Sequence, residues 1–151
     1  MHPTMTRCSL FALALLLPAL ATQAATTGSG KAASETREVS GFAAISLRGG
    51  MDLVVRQGTR EGVEVTADDN LLPLLQTVVE GSGDQHTLVI QWPRGETIRT
   101  RAKTVVTVDV VKLTAVAASG SGDISVEALK TPALTLSISG SSDARLIKLD
   151  T

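Results

Sequence analysis

Ring-bearing and reactive side chains are scarce in this chain of 151 residues, which has one cysteine, two histidines, two phenylalanines, one tryptophan and no tyrosine. Base-stacking platforms for single-stranded nucleic acid use several exposed rings, so that class of partner is excluded. A sugar cleft built from stacked aromatics is excluded on the same ground, and so is a transmembrane barrel, which carries aromatic girdles at both interfaces. The one thiol, Cys8, lies near the amino terminus and follows Met5-Thr6-Arg7, not the small and aliphatic residues of a lipidation site. Charge of one sign is also lacking, since 14 Lys+Arg face 15 Asp+Glu. No global attraction to nucleic acid or anionic lipid follows from that balance.

Residues 1–24 read as a secretory signal peptide. His2 and Arg7 give a cationic start, Leu10 to Leu17 is an unbroken apolar run, and Pro18 ends it before the small residues at Ala19, Ala21 and Ala24. We expect cleavage after Ala24, with Ala21 as the alternative. The apolar run falls short of the roughly 20 residues that span a bilayer, so no transmembrane segment is expected once the leader is removed. Cleavage removes the only cysteine, and with it disulfides, thiolate metal ligands and cysteine nucleophiles. It also removes Arg7 and no acid, leaving 13 Lys+Arg against 15 Asp+Glu. The remainder is long enough for one domain with its own core.

Residues 25–36 are rich in Gly, Ser, Thr and Ala without periodicity and are expected to form a flexible linker. Beyond them apolar residues alternate: Phe42, Ile45 and Leu47, then Leu53 and Val55, then Val63 and Val65, with glycine between the runs. This is the period of half-buried strands. Asp68-Asp69-Asn70 is placed to cap a short helix over Leu71 to Leu75, with Pro73 tolerated in its first turn; a strand is the competing reading. Thr87 to Trp92 reads as a strand, and Val105 to Val110, strongly β-branched, as another.

The second half is repetitive. Ser119-Gly120-Ser121-Gly122-Asp123 recurs as Ser139-Gly140-Ser141-Ser142-Asp143, and the flanking β runs keep the same 20-residue offset. Leu47-Arg48-Gly49-Gly50-Met51-Asp52-Leu53 is a weaker third copy. A unit of this length, made of β run, Ser/Gly corner, β run and turn, is the size of one solenoid coil. The corner residues Gly49, Gly50, Asp52, Gly120, Gly122, Asp123, Gly140 and Asp143 are therefore assigned a structural turn role. Glycine lets stacked corners approach, and an Asp or Ser side chain can bond the turn's amides.

Candidates for chemistry are few. His86, the only histidine after the leader, has no Gly-x-Ser-x-Gly elbow to accompany it and reads as an exposed turn residue. No further His or Cys ligand supports zinc. The acids at 68–70 and at the corners do not follow the nine-residue period of a calcium-binding repeat, so no metal and no cofactor is assigned. The one cluster of cations, Arg94, Arg99, Arg101 and Lys103 beside Trp92, lies in a loop from Pro93 to Lys103. Such a group suits an acidic polysaccharide or lipid head group; the alternative is a solvated loop whose charge guards a strand edge.

Arg37 to Leu47, Gly50-Met51-Asp52-Leu53-Val54-Val55-Arg56-Gln57-Gly58, Val63-Glu64-Val65, Asp69 to Leu75, Leu88-Val89-Ile90 and the two Ser-Gly-Ser-x-Asp corners together resemble the GIN domain family, described as autotransporter adhesin heads. The likeness covers the chain from Arg37 onward, with the namesake Gly-Ile-Asn triplet standing here as Gly50-Met51-Asp52. It implies an all-β fold over 37–151, with a right-handed β-helix or β-solenoid-like repeat domain and a less regular N-terminal β lobe. Members carry more repeats, which implies C-terminal truncation here or an open edge available for self-association. The resemblance further implies a bacterial, exported, non-enzymatic surface module that binds an envelope polysaccharide or host surface ligand, placed in the periplasm, on the outer membrane or outside the cell. A polysaccharide-active enzyme on a β-solenoid and a structural module assembling edge to edge are the alternatives.

Overall fold

The computed structural model describes residues 25–82 and 85–150; the leader assigned to 1–24 lies outside the described residues. Strands β1 (Thr26–Thr27), β2 (Ala32–Arg37), β3 (Ala44–Arg48), β4 (Asp52–Gln57) and β5 (Gly62–Asp68) precede a 3-10 turn at Leu72–Leu74. After it come β6 (Gln76–Ser82), β7 (Gln85–Gln91), β8 (Ile98–Arg99) and β9 (Val105–Val110). The chain then runs through β10 (Ala115–Gly120), β11 (Ile124–Val126), β12 (Leu129–Lys130), β13 (Thr135–Gly140), β14 (Ala144–Leu146) and β15 (Leu149–Asp150). The fold is all-β with mixed sheets.

Five strands form one sheet in the order β13-β10-β3-β7-β6, and six form another in the order β14-β11-β4-β9-β5-β2. The pairs β1-β8 and β12-β15 form two small sheets. The 20-residue offset is a spatial register: Ala115 to Gly120 pair in parallel with Thr135 to Gly140, and Ile124 to Val126 with Ala144 to Leu146. The third copy is real as well, because Ala44 to Arg48 pair in parallel with Ala115 to Ser119, and Leu53 to Val55 with Ile124 to Val126. Chain order and spatial order differ here. The β3–β4 layer lies between the β7–β9 layer and the β10–β11 layer, so the earliest layer is covered on both sides by later chain.

Parallel stacking is not uniform. β6 runs antiparallel to β7, and β5 lies antiparallel to both β9 and β2. Alternation sends Ile45, Leu47, Leu53, Val55, Val63, Val65, Val106 and Val108 into one core shared by the two large sheets. Each fully buried Leu, Ile or Val contributes about 1.5–3 kcal/mol through removal of its surface from water. Across β13 and β14 the pattern persists but the cover does not: Ile138 and Leu146 are 37% and 43% exposed, and the following Ile147 is 62% exposed.

Three expectations are corrected. Residues 25–36 are no tether, since they carry β1 and all but the last residue of β2, and β2 pairs antiparallel with β5 from Ala32↔Asp68 to Arg37↔Val63. The helix expected over Leu71 to Leu75 is a single 3-10 turn, Leu72–Leu74, without a side-chain cap, held from the side by Arg37, whose guanidinium donates to the Leu72 and Leu75 carbonyls. Pro73 in its first turn and the short apolar run after it leave room for little more than that turn. His86 is not in a turn; it is half-buried in β7, and its carbonyl accepts the Ala43 amide.

The corners show how close the layers come. Gly49, Gly120 and Gly140 all have positive φ, at 124°, 132° and 101°, and occupy equivalent places in successive layers. A Cβ on Gly120 would lie 2.4 Å from the Gly49 carbonyl oxygen, and one on Gly122 would lie 1.7 Å from that of Met51. Gly122→Ala must therefore separate two layers, and Gly120→Ala adds backbone strain to the clash. Each is expected to lower the unfolding free energy by about 1–3 kcal/mol or more in urea denaturation. Gly58→Ala, at a site with nothing within 4 Å of the added Cβ, should change it by less than about 0.5 kcal/mol. Equal stability of the Gly58 and Gly122 variants would contradict backbone-limited stacking.

Candidate functional site

The basic loop leaves β7 at Trp92 and rejoins the sheet at β9. Its backbone is fastened along most of its length. β8 pairs in parallel with β1, Thr26 and Gly28 donating to the carbonyls of Thr97 and Arg99 at 2.8 and 2.7 Å. Behind it stands Asp68, the last residue of β5, whose carboxylate is fully buried. That carboxylate accepts the amides of Gly30 (2.8 Å) and Ala102 (3.1 Å) on Oδ1 and of Arg101 (3.0 Å) on Oδ2. Gly28 is required beside it, since a Cβ there would fall 2.2 Å from the Asp68 carboxyl carbon. Asn70 completes the joint by donating to the Thr27 carbonyl and accepting the Ser29 amide, while Asp69 accepts the Ser29 hydroxyl.

Burial alone would push the Asp68 carboxyl up, but the Ala102, Gly30 and Arg101 amides outweigh it and hold the group below the ordinary carboxylate range. The residues expected to cap a helix thus hold the N-terminal segment and the basic loop together. Only the Asp-Asp-Asn run signals a backbone-binding site; its partners 28–30 and 101–102 are far away in sequence and left no local trace.

The five candidate binding residues fall into two groups. Arg94, Arg99 and Arg101 are exposed and, among the described residues, make no ion pair. Lys103 and Trp92 face the corner stack instead. The Lys103 ammonium lies 2.8 Å from Asp52 Oδ2, which raises the lysine; burial alone would push the Asp52 carboxyl up, but the Lys103 ammonium and the Asp123 amide together outweigh it and lower the aspartate. Trp92 is half-buried against the core and so close to Gly49 that a Cβ there would lie 3.2 Å from its Cδ1.

In the corners the side chains bond neighbouring layers and not their own turn. Asp52 Oδ1 accepts the Asp123 amide at 3.0 Å, and the Ser142 hydroxyl donates to the Gly120 carbonyl at 3.0 Å. Backbone bonds join the same layers in the opposite sense, the Gly49, Leu53 and Ile124 amides donating to the carbonyls of Ser119, Asp123 and Asp143. Among the described residues no group of His, Cys, Asp and Glu has the makings of a metal site.

Residues 41–151 match the family model described as "Putative auto-transporter adhesin, head GIN domain". The chain belongs to the GIN-domain family. Its fold is similar to that of a putative adhesin from Bacteroides fragilis, with TM-score 0.72 and 21% identity over 82% of this chain and 56% of that one. It is also similar to a putative lipid binding protein from Parabacteroides distasonis, with TM-score 0.66 and 20% identity over 83% of this chain and 56% of the other. A putative adhesin from Parabacteroides merdae matches with TM-score 0.60 and 20% identity, covering 82% of this chain and 59% of its own. The chain thus spans little more than half the length of these solved structures. No curated protein matches its sequence.

The joint at Asp68 yields a pH prediction. Because its pKa in the folded protein lies below the unfolded value near 3.8, its contribution is complete above that value and is lost as pH falls through the folded pKa. Acidification below about pH 4 should therefore expose the Gly30, Arg101 and Ala102 amides to exchange. Asp68→Asn should expose the same three amides already at pH 7 and flatten their acid dependence, as read by hydrogen exchange. Unchanged protection in that variant would mean that β1–β8 pairing alone holds the loop.

Proposed function

We propose that this GIN-family chain is an exported, non-enzymatic envelope module, adhesin-like, that holds an anionic polysaccharide on the loop from Pro93 to Lys103. The observation that carries the proposal is the state of Arg94, Arg99 and Arg101: three exposed guanidiniums without an acidic partner among the described residues, on a backbone fixed by Asp68 and β1. An unpaired guanidinium is a planar donor suited to carboxylate or sulfate, and a pre-ordered loop loses little entropy on binding. Lys103 takes a supporting place, neutralised by Asp52, and Trp92 supports the loop's base.

Family membership and the adhesin names of the similar structures support the binding role. The leader at 1–24 supports export, to the periplasm, the outer membrane surface or beyond. No helix of the described residues is long and apolar enough to cross a membrane. The parallel layers at 20-residue spacing support a short β-solenoid as the scaffold. Its regular strand spacing of about 4.8 Å offers an extended ligand a repeating surface.

Binding of mature protein to a panel of uronic-acid, sulfated and neutral polysaccharides tests the reading. Each exposed charge pair is worth about 0.2–1 kcal/mol, so Arg94→Gln/Arg99→Gln/Arg101→Gln should weaken binding to the acidic polymers by about tenfold. Raising ionic strength should weaken it too. Retained affinity in the triple variant would sink the loop as the site. Stronger capture by anionic lipid vesicles than by any polysaccharide would replace the ligand class with a lipid head group.

A further inference from the structure

A second concave surface lies at the other end of the five-stranded sheet, away from the basic loop. It is a groove of about 550 Å³ that crosses the starts of β7, β3, β10 and β13 in that order. Its floor is one row of residues in register, Thr87, Ala44, Ala115 and Thr135. Three strand spacings make this row about 14 Å long. The volume is within the range of about 300–1,000 Å³ typical of small-ligand sites.

The walls are firm. On one side the turn at Pro132 and Ala133 is held by the buried Thr131 hydroxyl, which donates to the carbonyls of Leu113 (2.9 Å) and Ala133 (3.1 Å). Leu113 is fully buried and fixes the approach of Lys112. The ammonium of Lys112 has no ion pair among the described residues, and His86, on β7, lines the same groove. Among the described residues no acid lines the groove; Glu80 lies one strand further out, opposite Thr87.

We infer that this groove is a second binding site, and that its ligand is a short acidic oligosaccharide lying across the strands. The inference rests on the reading of the chain as a binder of anionic polysaccharide and extends it to a second place. Lys112 and His86 face a carboxylate of the ligand, the Gln85 amide and the Thr87 and Thr135 hydroxyls face its hydroxyls, and the alanine floor takes the C–H face of the sugars. A peptide fits less well. β7, β3 and β10 are each paired on both sides and only β13, at one end of the groove, has an open side, so a chain lying across the strands cannot extend the sheet by β-augmentation. A free phosphate fits less well too, because the floor amides of Ala43, Thr114 and Thr135 are already bonded to the carbonyls of His86, Ala43 and Thr114.

The probe is trigalacturonate, with its methyl ester as the neutral control, titrated into mature protein and followed by backbone amide NMR. Saturable shifts at Ala44, Thr87, Ala115 and Thr135 are expected with the acid, and at least tenfold weaker binding with the ester. Lys112→Gln/His86→Gln should lower affinity about tenfold. Ala115→Trp, a half-buried position whose ring would occupy the floor, should abolish binding while leaving the circular dichroism of the fold unchanged. The loop variant Arg94→Gln/Arg99→Gln/Arg101→Gln should leave these four shifts in place. Binding lost in the loop variant alone would overturn the groove and leave the loop reading intact, whereas binding lost in the groove variants alone supports the groove even if the polymer assay fails. Equal binding of acid and ester, shifts produced by an acidic peptide but not the sugar, or no saturation up to about 10 mM would each overturn the inference.

Discussion

Everything in this structure depends on how near one corner backbone comes to the next. Gly49, Gly120 and Gly140 carry the same left-handed turn in three layers, and at Gly120 and Gly122 a methyl group would already overlap a carbonyl of the layer beneath. That approach sets the register of both large sheets at once, because each corner joins a strand of one to a strand of the other: β3 to β4, β10 to β11, β13 to β14. Once the corners are seated, period-two alternation directs Ile45, Val116, Leu53 and Ile124 into a single core without further instruction. A one-residue slip would turn every one of those side chains outward.

The corner stack was legible in the sequence because it is a repeat, and a repeat is visible without knowing what lies next to what. The same is true of β9, whose bounds at Val105 and Val110 coincide with the β-branched run. The order of the layers was not legible. Nothing local announces that β7 and β9 stack on one side of β3 and β4 while β10 and β11 stack on the other, since that order is decided by the antiparallel excursion through β5 and β6. Composition was also a poor guide to residues 25–36. Their Gly, Ser and Thr look like a tether, yet Gly28 is present because the Asp68 carboxyl fills the place of its side chain. An edge strand with one wet face has little need of apolar residues, and β2 is such a strand.

For the candidate site, the sequence located the cations and could not rank them. Four basic residues within a loop of eleven look equivalent in one dimension. In three, Lys103 is drawn onto Asp52 and belongs to the corners, whereas the three arginines stay in solvent. Asp68 was visible only as a member of an acidic run, and its role depends on the backbone amides at 30, 101 and 102, which no side-chain pattern records.

A chain with one tryptophan and one phenylalanine after residue 24 has few rings to offer a ligand, and the polymer binding proposed for it would rest on the strand layers instead. Parallel layers repeat a side chain about every 4.8 Å, so a row such as Thr87, Ala44, Ala115 and Thr135 presents small and hydroxyl groups in a straight line. The corner geometry that forces glycine and serine into the turns brings the layers close enough for such rows to be regular. Asp52 then connects that geometry to the basic loop: one carboxylate oxygen accepts the Asp123 amide of the next layer and the other meets Lys103. The loop is thereby anchored at its start by Trp92 on Gly49, in its middle by β1 and at its end by Asp68 and Asp52. With the backbone held at several points, the freedom left in the loop belongs to the arginine side chains, which is where the proposed binding of a flexible anionic polymer would use it.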